Sequence, residues 1–298
     1  PKAGIISMLA SIICKIPHRL HTVAGLPLME ATGFKRKVLF FVEWLTYRCA
    51  TKVYPNSHGL KKFILENFSI FDNKISVIGS GSSNGIDTDY FDRTKEVNKF
   101  AFNYKKKFSL NKVFSFIFIG RIVKDKGIEE LLIAFNRLNK KYNNIRLLIL
   151  GWEERDLDPI SNSAKKILLL NKNIINVGFK IDVRPFLAAS NCLVLPSYRE
   201  GFPNVVLQAC SMQIPSIVSN INGCNEIIHD KVNGLLVQPK NIESLYLAMK
   251  KIYLDKKLFK SLSCSLRENV VKNYKSEIFH SEMLSNYFNL SNKTDSKS

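Results

Sequence analysis

Two stretches of the chain combine charged residues and glycine in patterns suited to binding a phosphorylated ligand. In the first, Gly120 and Arg121 follow an apolar run, and Lys126 stands just before an amphipathic segment. Glycine permits a tight turn, an arginine grips two phosphate oxygens at once, and a lysine adds a point charge. Together with the positive end of the following helix, Arg121 and Lys126 are candidate ligands for a diphosphate. A solvated loop is the alternative.

The second stretch covers residues 195–208 and centres on Glu200, a carboxylate that can accept hydrogen bonds from hydroxyl groups. Gly201 and a helix start near Asn204 bring backbone N–H groups close to this acid. Gln208 then lies about one turn inside the same helix. The alternative is that Glu200 is a surface charge and that Gln208 belongs to a solvated polar face.

Other chemistries are disfavoured by the spacing of the relevant residues. The glycine-rich segment 79–85 imitates a dinucleotide-binding fingerprint, but its last glycine is one position late and the segment that follows, 86–95, is too charged for a buried crossover helix. The chain contains no P-loop, no H-E-x-x-H and no Cys or His cluster at zinc spacing. We therefore predict neither a nicotinamide cofactor nor a metal site.

Composition places the chain among globular proteins with two hydrophobic cores. It has 298 residues, of which 46% are hydrophobic and 23% charged. No apolar run approaches the roughly 18–20 residues needed to cross a bilayer. The 6 cysteines lack CxxC spacing and favour buried, reduced thiols in the cytoplasm. Because the chain begins at Pro1 without a signal-peptide pattern, we expect an incomplete N-terminus.

The charge balance favours an anionic partner. Lys and Arg number 44 against 25 Asp and Glu, a formal net charge of +19, which suits nucleic acid, anionic lipid or a phosphorylated substrate. A compositional bias towards Lys, Asn and Ile is the alternative. Residues 1–62 hold 10 Lys or Arg against 2 acids, Glu30 and Glu43, close to an amphipathic stretch at 35–49. This part of the chain fits peripheral contact with an anionic membrane; a solvated basic face is the alternative.

Short β-branched runs alternate with amphipathic stretches from residue 113 onward. This alternation predicts a doubly wound parallel sheet, in which ligands bind beyond the carboxyl ends of the strands. The predicted strands are 114–119, 145–150, 174–177, 192–195, 216–218 and 235–237. The predicted helices between them are 128–140, 158–170, 184–189, 204–212 and 226–230.

The N-terminal part repeats this theme less completely, and the C-terminal part is mainly helical. We predict a partial N-terminal domain over 1–95, a C-terminal domain over 96–272 and a C-terminal helix and polar tail over 273–298. The predicted N-terminal elements are helices at 4–15, 35–49 and 59–68 and strands at 19–23, 52–55 and 75–78. Further predicted elements are a surface linker at 92–112, helices at 242–254, 256–272 and 276–288, and a disordered tail at 289–298.

Several motifs, in order along most of the chain, resemble the retaining glycosyltransferases of family 4, especially their capsule and lipopolysaccharide branch. The resemblance implies an α/β GT-B fold, with two doubly wound Rossmann-like domains facing a cleft and the N-terminal domain truncated. Together with the cysteine pattern and the basic N-terminal part, it leads us to expect a cytoplasmic enzyme, peripheral on the inner face of the plasma membrane. The motifs are Pro1-Lys2-Ala3-Gly4, His21 to Pro27, Asn84-Gly85-Ile86-Asp87, Gly120-Arg121 with Lys126-Gly127, Leu195-Pro196-Ser197, Arg199 to Asn204, Gly223 to Ile228 and Asn233-Gly234-Leu235.

The resemblance implies transfer of a hexose or N-acetylhexosamine from a nucleotide-sugar, such as a UDP-sugar, to a lipid-linked or saccharide acceptor. Arg121 and Lys126 would neutralise the diphosphate, Glu200 would contact the donor sugar, and His21 would hydrogen-bond or relay a proton near that sugar. Similar enzymes need no metal or other cofactor. The implied donor-binding residues are Arg121, Lys126, Gly201, Phe202, Pro203, Asn204, Val205 and Gln208.

Two departures and two alternatives accompany this resemblance. Gln208 stands where the family has the second acid of its E-x₇-E motif, so we expect weaker nucleotide binding. The family's N-terminal glycine-rich loop is absent from this chain, which predicts poor transfer.

The alternatives are a noncatalytic nucleotide-binding or nucleic-acid-binding protein and a GT-B enzyme of storage or sucrose metabolism. Because no basic run is interleaved with aromatics, we do not expect nucleic acid as a partner.

Overall fold

The computed structural model describes residues 2–70, 72–154 and 158–295. Pro1, the first residue of one predicted motif, lies outside them. The strands are β1 (Leu20–Val23), β2 (Lys52–Pro55), β3 (Phe114–Ile119), β4 (Ile145–Leu150), β5 (Ile174–Asn176), β6 (Cys192–Leu195), β7 (Ser216–Ser219) and β8 (Gly234–Val237). The helices are α1 (Lys2–Ile13), α2 (Gly33–Cys49), α3 (His58–Asn67), α4 (Lys95–Lys107), α5 (Ile128–Asn139), α6 (Asn162–Leu170), α7 (Arg184–Ala189), α8 (Asn204–Ser211), α9 (Cys224–Ile227), α10 (Ile242–Leu254), α11 (Lys256–Ser263), α12 (Leu266–Tyr274) and α13 (Ser276–Asp295).

The chain forms two compact units. The first comprises Pro1–Gly85, Arg199–Pro203 and Asn273–Ser298, and the second comprises Ile86–Tyr198 and Asn204–Lys272. The N-terminal segment of the first unit therefore ends at Gly85, whereas the predicted domain extends to residue 95. It also takes in a short segment from the middle of the chain and the C-terminal helix.

The second unit is built on a six-stranded parallel sheet in the order β5-β4-β3-β6-β7-β8. Its central strands are buried on both faces, which is why they appear in the sequence as continuous apolar runs. The chain order reverses between β3 and β6, so the carboxyl ends of these neighbours form the switch point at which ligands bind in such sheets. The predicted doubly wound sheet is confirmed.

The first unit contains a smaller parallel pair, β1 and β2. Val53 of this pair packs in a core with Leu60 and Ile64 of α3. The predicted third strand at 75–78 is wrong. Ile75 makes a single bridge to Val53, and the chain then turns at Gly79 (φ 58°), so pairing does not continue.

The predicted linker at 92–112 is also wrong, because α4 occupies most of it. Thr94 caps this helix by accepting a hydrogen bond from the Val97 N–H. Val97 and Ala101 are buried, and Tyr104 stacks on Phe186 of α7 with 4.2 Å between ring centroids. These positions recur at helical spacing among the lysines, and their burial outweighs the polar composition.

The C-terminal elements differ from the prediction in two places. The predicted helix at 256–272 is two helices, α11 and α12. The predicted disordered tail is wrong as far as Asp295, where α13 ends, and residues 296–298 lie outside the described part of the chain.

Four cysteines, Cys49, Cys192, Cys210 and Cys224, are buried as predicted, while Cys14 and Cys264 are exposed. Among the described residues, no helix has the length and apolarity required to cross a membrane.

Gly127 provides a test of the switch point, with Gly178 as a matched control. Both have positive φ, 66° and 74°. A Cβ on Gly127 would lie 2.0 Å from the Pro196 carbonyl oxygen, whereas a Cβ on Gly178 would have no described atom within 4 Å apart from those of its chain neighbours. We expect Gly178→Ala to cost about 1–2 kcal/mol of unfolding free energy and Gly127→Ala about 1–3 kcal/mol more. Urea denaturation measures both, and equal losses would contradict the close approach at Pro196.

Candidate functional site

The loops that follow β3 and β6 are held together at the switch point of the second unit. The Tyr198 N–H donates a hydrogen bond of 2.8 Å to the Asp125 carbonyl oxygen, and the Tyr198 hydroxyl donates one of 2.5 Å to Glu130. Burial, with the nearby Glu130 carboxylate, raises the pKa of Tyr198, so its hydroxyl remains a donor. These bonds fix the loop that carries both predicted diphosphate ligands.

Arg121 is the first predicted ligand on that loop, and its guanidinium forms an ion pair with Glu154. The backbone beneath it is tightly packed, because a Cβ on Gly151 would lie 1.8 Å from the Gly120 carbonyl oxygen. The Gly120 N–H in turn donates to the Leu150 carbonyl oxygen at 2.9 Å. Arg121 is thus positioned by backbone contacts between the ends of two neighbouring strands.

A cavity of about 240 Å³ opens beside Arg121 at the carboxyl ends of β3 and β4. The rings of Trp152 and Phe179 form one of its walls, with 4.7 Å between centroids and 48° between planes. Both rings are about half exposed. Aromatic faces accept a planar ring, and a guanidinium beside them binds an anion, so the cavity suits a planar ligand that carries phosphate.

Lys126 ends a short 3₁₀ helix, Lys124–Lys126, directly before α5. The positive end of α5 is part of the predicted diphosphate site, but the first turn of that helix already carries Glu129 and Glu130. Glu129 accepts a hydrogen bond from the Ser161 N–H at 2.5 Å. Because these carboxylates partly balance the helix dipole, the side chains of Arg121 and Lys126 have to supply most of the positive charge.

The first unit has its own cavity, of about 410 Å³, around the end of β1. His21 lies in its wall, together with Glu43 of α2 and Arg199. The imidazole is closely packed: a Cβ on Gly4 would lie 2.8 Å from its Cε1 atom. Burial lowers the pKa of His21, so the ring is neutral at neutral pH and can both donate and accept a hydrogen bond.

The segment that contains Glu200 packs on the same part of the first unit. A Cβ on Gly201 would lie 1.8 Å from the Ala24 carbonyl oxygen. The Phe202 ring is buried against Tyr274, with 5.6 Å between centroids, and Pro203 is also buried. Glu200 is half-buried. The predicted sugar ligand therefore belongs to the unit that holds His21, and its role stays a prediction.

The remaining predicted donor ligands lie on α8 of the second unit. Asn204 is exposed, while Val205 and Gln208 are half-buried. Their contact with a nucleotide-sugar stays a prediction, as does the absence of a metal requirement. Within the described ranges, no group of three or more His, Cys, Asp or Glu could hold a metal ion.

Sequence reasoning missed three residues of these cavities: Glu43, Trp152 and Phe179. The aromatic pair had a detectable signal, because each ring follows a glycine just beyond a predicted strand, at Gly151 and Gly178. Glu43 was counted only as one of two acids in a basic region. Glu43 is the only charged residue between Lys37 and Arg48, and this lone carboxylate in an apolar stretch was the signal for it.

Comparisons with known proteins agree on one family. The family model described as "Glycosyl transferases group 1" matches residues 100–276, more than half of the chain. The Staphylococcus aureus capsular polysaccharide biosynthesis glycosyltransferase CapM is 34% identical over 287 residues, which cover 96% of this chain and 74% of CapM. An Escherichia coli UDP-Gal:α-D-GlcNAc-diphosphoundecaprenol α-1,3-galactosyltransferase is 28% identical over 278 residues, 92% of this chain and 69% of that protein.

A similar fold occurs in Anabaena HepE, solved in complex with UDP. That structure superposes with a TM-score of 0.83 at 17% identity and covers 97% of this chain and 76% of HepE. At this identity the likeness concerns the fold alone. The predicted GT-B architecture is thereby confirmed.

Glu154 and Glu153 form a matched pair that tests whether the cavity beside Arg121 binds an anion. Glu154 pairs with Arg121, whereas Glu153 pairs with Lys165 at 3.3 Å. We expect Glu154→Gln to tighten binding of UDP by about two- to fivefold, because a surface ion pair worth up to about 1 kcal/mol no longer competes for the guanidinium. Isothermal titration calorimetry measures the affinity. Glu153→Gln removes the same charge and should change it little; equal effects of both variants would indicate long-range electrostatics only.

Proposed function

The chain belongs to the group 1 glycosyltransferases, and from this premise we propose that it moves a hexose or N-acetylhexosamine from a UDP-sugar to a lipid-linked acceptor in surface polysaccharide assembly. The relatives described above are named for capsule synthesis and for transfer onto a diphosphoundecaprenol-linked sugar. We propose a retaining reaction at the cytoplasmic face of the membrane. The noncatalytic and nucleic-acid-binding alternatives are not favoured, since the relatives are named as transferases.

The observation that carries this proposal is the cavity with Arg121 on its rim and the rings of Trp152 and Phe179 in its wall. In the proposed complex the nucleobase lies against the two rings and the diphosphate lies towards Arg121 and Lys126. Negative charge grows on the diphosphate as the glycosidic bond breaks, so fixed cations stabilise the transition state more than the ground state. This charge stabilisation needs no proton transfer from either residue.

The first unit supplies the groups proposed to act on the sugars. His21 offers a neutral imidazole that can hydrogen-bond a hydroxyl, and burial maintains that charge state. Glu200 accepts hydrogen bonds from hydroxyls of the transferred sugar. Gln208, on α8 of the second unit, is proposed to accept a hydrogen bond from the ribose, without the charge-assisted part of that bond.

Nucleotide binding can be followed at Trp152, because the chain has only 2 tryptophans. In a Trp44→Phe background, we expect UDP to change Trp152 fluorescence more than GDP or dTDP at equal concentration. Arg121→Ala should weaken UDP binding roughly 10- to 100-fold, as expected for a charge-assisted hydrogen bond, and Lys126→Ala somewhat less.

Lys124→Ala is the matched control, since Lys124 is an exposed residue of the same 3₁₀ helix. It should leave UDP affinity within about twofold of the parent, a change below 0.5 kcal/mol. If Arg121→Ala and Lys126→Ala bind UDP as the parent does, the assignment of the diphosphate site is wrong.

We further propose that the first unit contacts an anionic lipid surface through α2. Phe34, Val38 and Phe41 recur at helical spacing on this helix, and Phe34 and Phe41 are 81% and 58% exposed. Lys35 and Lys37 are interspersed with them, so the helix combines apolar and cationic side chains as interfacial helices do. A lipid-linked acceptor would be met at such a surface.

Vesicle sedimentation tests this contact. We expect the double variant Phe34→Ser and Phe41→Ser to lose most binding to phosphatidylglycerol vesicles, because it removes two apolar anchors while the charge is unchanged. The double variant Phe100→Ser and Phe102→Ser on α4 is the control, since those rings are also exposed among lysines. A larger loss in the α4 variant would place the lipid contact there instead.

A further inference from the structure

We propose that Glu43 is a further substrate-binding residue, whose carboxyl group accepts a hydrogen bond from a hydroxyl of the acceptor sugar in the cavity beside His21. This inference rests on the proposed function. It assigns a role to a residue other than the two predicted catalytic residues, His21 and Glu200.

Glu43 lies on the face of α2 that also packs around His21. Thr46 and Tyr47 follow it at the spacings i+3 and i+4, which place all three side chains on one side of the helix. The rings of Tyr47 and His21 are 5.9 Å apart between centroids. A Cβ on Gly4 would lie 3.6 Å from Thr46 Cγ2 as well as close to the imidazole. The same helix face therefore holds the imidazole and presents the carboxyl group.

Glu43 as a residue is 5% exposed, and within the described part of the chain no lysine or arginine forms an ion pair with it. The Tyr47 hydroxyl lies beside it without a hydrogen bond of ordinary geometry. Burial raises the pKa of the Glu43 carboxyl group, so ionising it costs the folded chain stability. A buried carboxyl group gains stability from each hydrogen bond that it accepts, and a hydroxyl-bearing ligand in the cavity would supply a further donor beside the Tyr47 hydroxyl.

The surrounding cavity suits a sugar. Its volume of about 410 Å³ exceeds the space that one hexose fills, and Thr22 to Gly25, at the end of β1 and just beyond it, lie in its wall. A transferase needs separate sites for two substrates, and the aromatic and cationic features suited to a nucleotide lie in the second unit. The cavity beside His21 is therefore assigned to the acceptor, and Glu43 orients the hydroxyl that it binds.

The test compares Glu43→Gln and Glu43→Met with the parent chain. Transfer is measured from the UDP-sugar donor to a polyprenyl-diphosphate-linked N-acetylhexosamine, alongside UDP binding at Trp152 and the melting temperature. We expect kcat/KM for the acceptor to fall roughly 10-fold in Glu43→Gln, which keeps a neutral acceptor oxygen, and roughly 100-fold in Glu43→Met. UDP affinity should not change, and the melting temperature should hold or rise, because a buried carboxyl group is removed.

Glu66→Gln is the control, since Glu66 is an exposed acid of α3 in the same unit and pairs with Lys62 at 3.9 Å. It should transfer like the parent. Parent-like transfer by Glu43→Met would overturn the inference, and so would a drop of many degrees in the melting temperature of both Glu43 variants, which would mark a structural residue. A parent chain that fails to bind UDP contradicts the proposed function instead, and this result is distinct from any effect at Glu43.

Discussion

The backbone contact between the loops after β3 and β6 is the constraint on which the second unit's candidate site depends. Gly127 lies against the Pro196 carbonyl group so closely that a single added carbon would overlap it. These two strands are parallel neighbours, so their carboxyl ends lie side by side and both loops occupy the same narrow space. Because the loops share that space, the position of Arg121 and Lys126 follows from the sheet rather than from their own side-chain packing.

The cation on the rim of this cavity is held without being buried. Arg121 and Glu154 remain partly exposed, so the pair does not incur the large desolvation cost of a buried ion pair. In the proposed complex, a diphosphate would replace Glu154 as the anionic partner of the guanidinium. The aromatic wall has the same character, because Trp152 and Phe179 are half-exposed and the backbone beneath them, rather than a surrounding core, holds them in place.

The cavity of the first unit differs from this one, because its titratable groups His21 and Glu43 are largely buried. His21 is neutral because burial lowers the pKa of its ring, and burial acts in the opposite direction on the Glu43 carboxyl group. Both shifts favour the uncharged forms of these two groups. In the proposed function, the charged Arg121 of the second unit faces the diphosphate, whereas the neutral forms of His21 and Glu43 in the first unit face the hydroxyl groups of sugars.

The sequence by itself determined the second unit's sheet, because strands buried on both faces must be continuously apolar, and their runs stand out between amphipathic helices. It also located Arg121 and Lys126, since both follow directly from the end of β3. It failed at 92–112, where burial of Val97 and Ala101 outweighs a lysine-rich composition. The tertiary structure alone decided which distant residues share a cavity. Trp152 and Phe179 meet because β4 and β5 are parallel neighbours, and Glu43 shares a cavity with His21 because Tyr47, one turn further along α2, packs against the His21 ring. Such pairings depend on strand order and helix packing. Both are set by interactions between residues far apart in the chain, which local spacing in the sequence does not reveal.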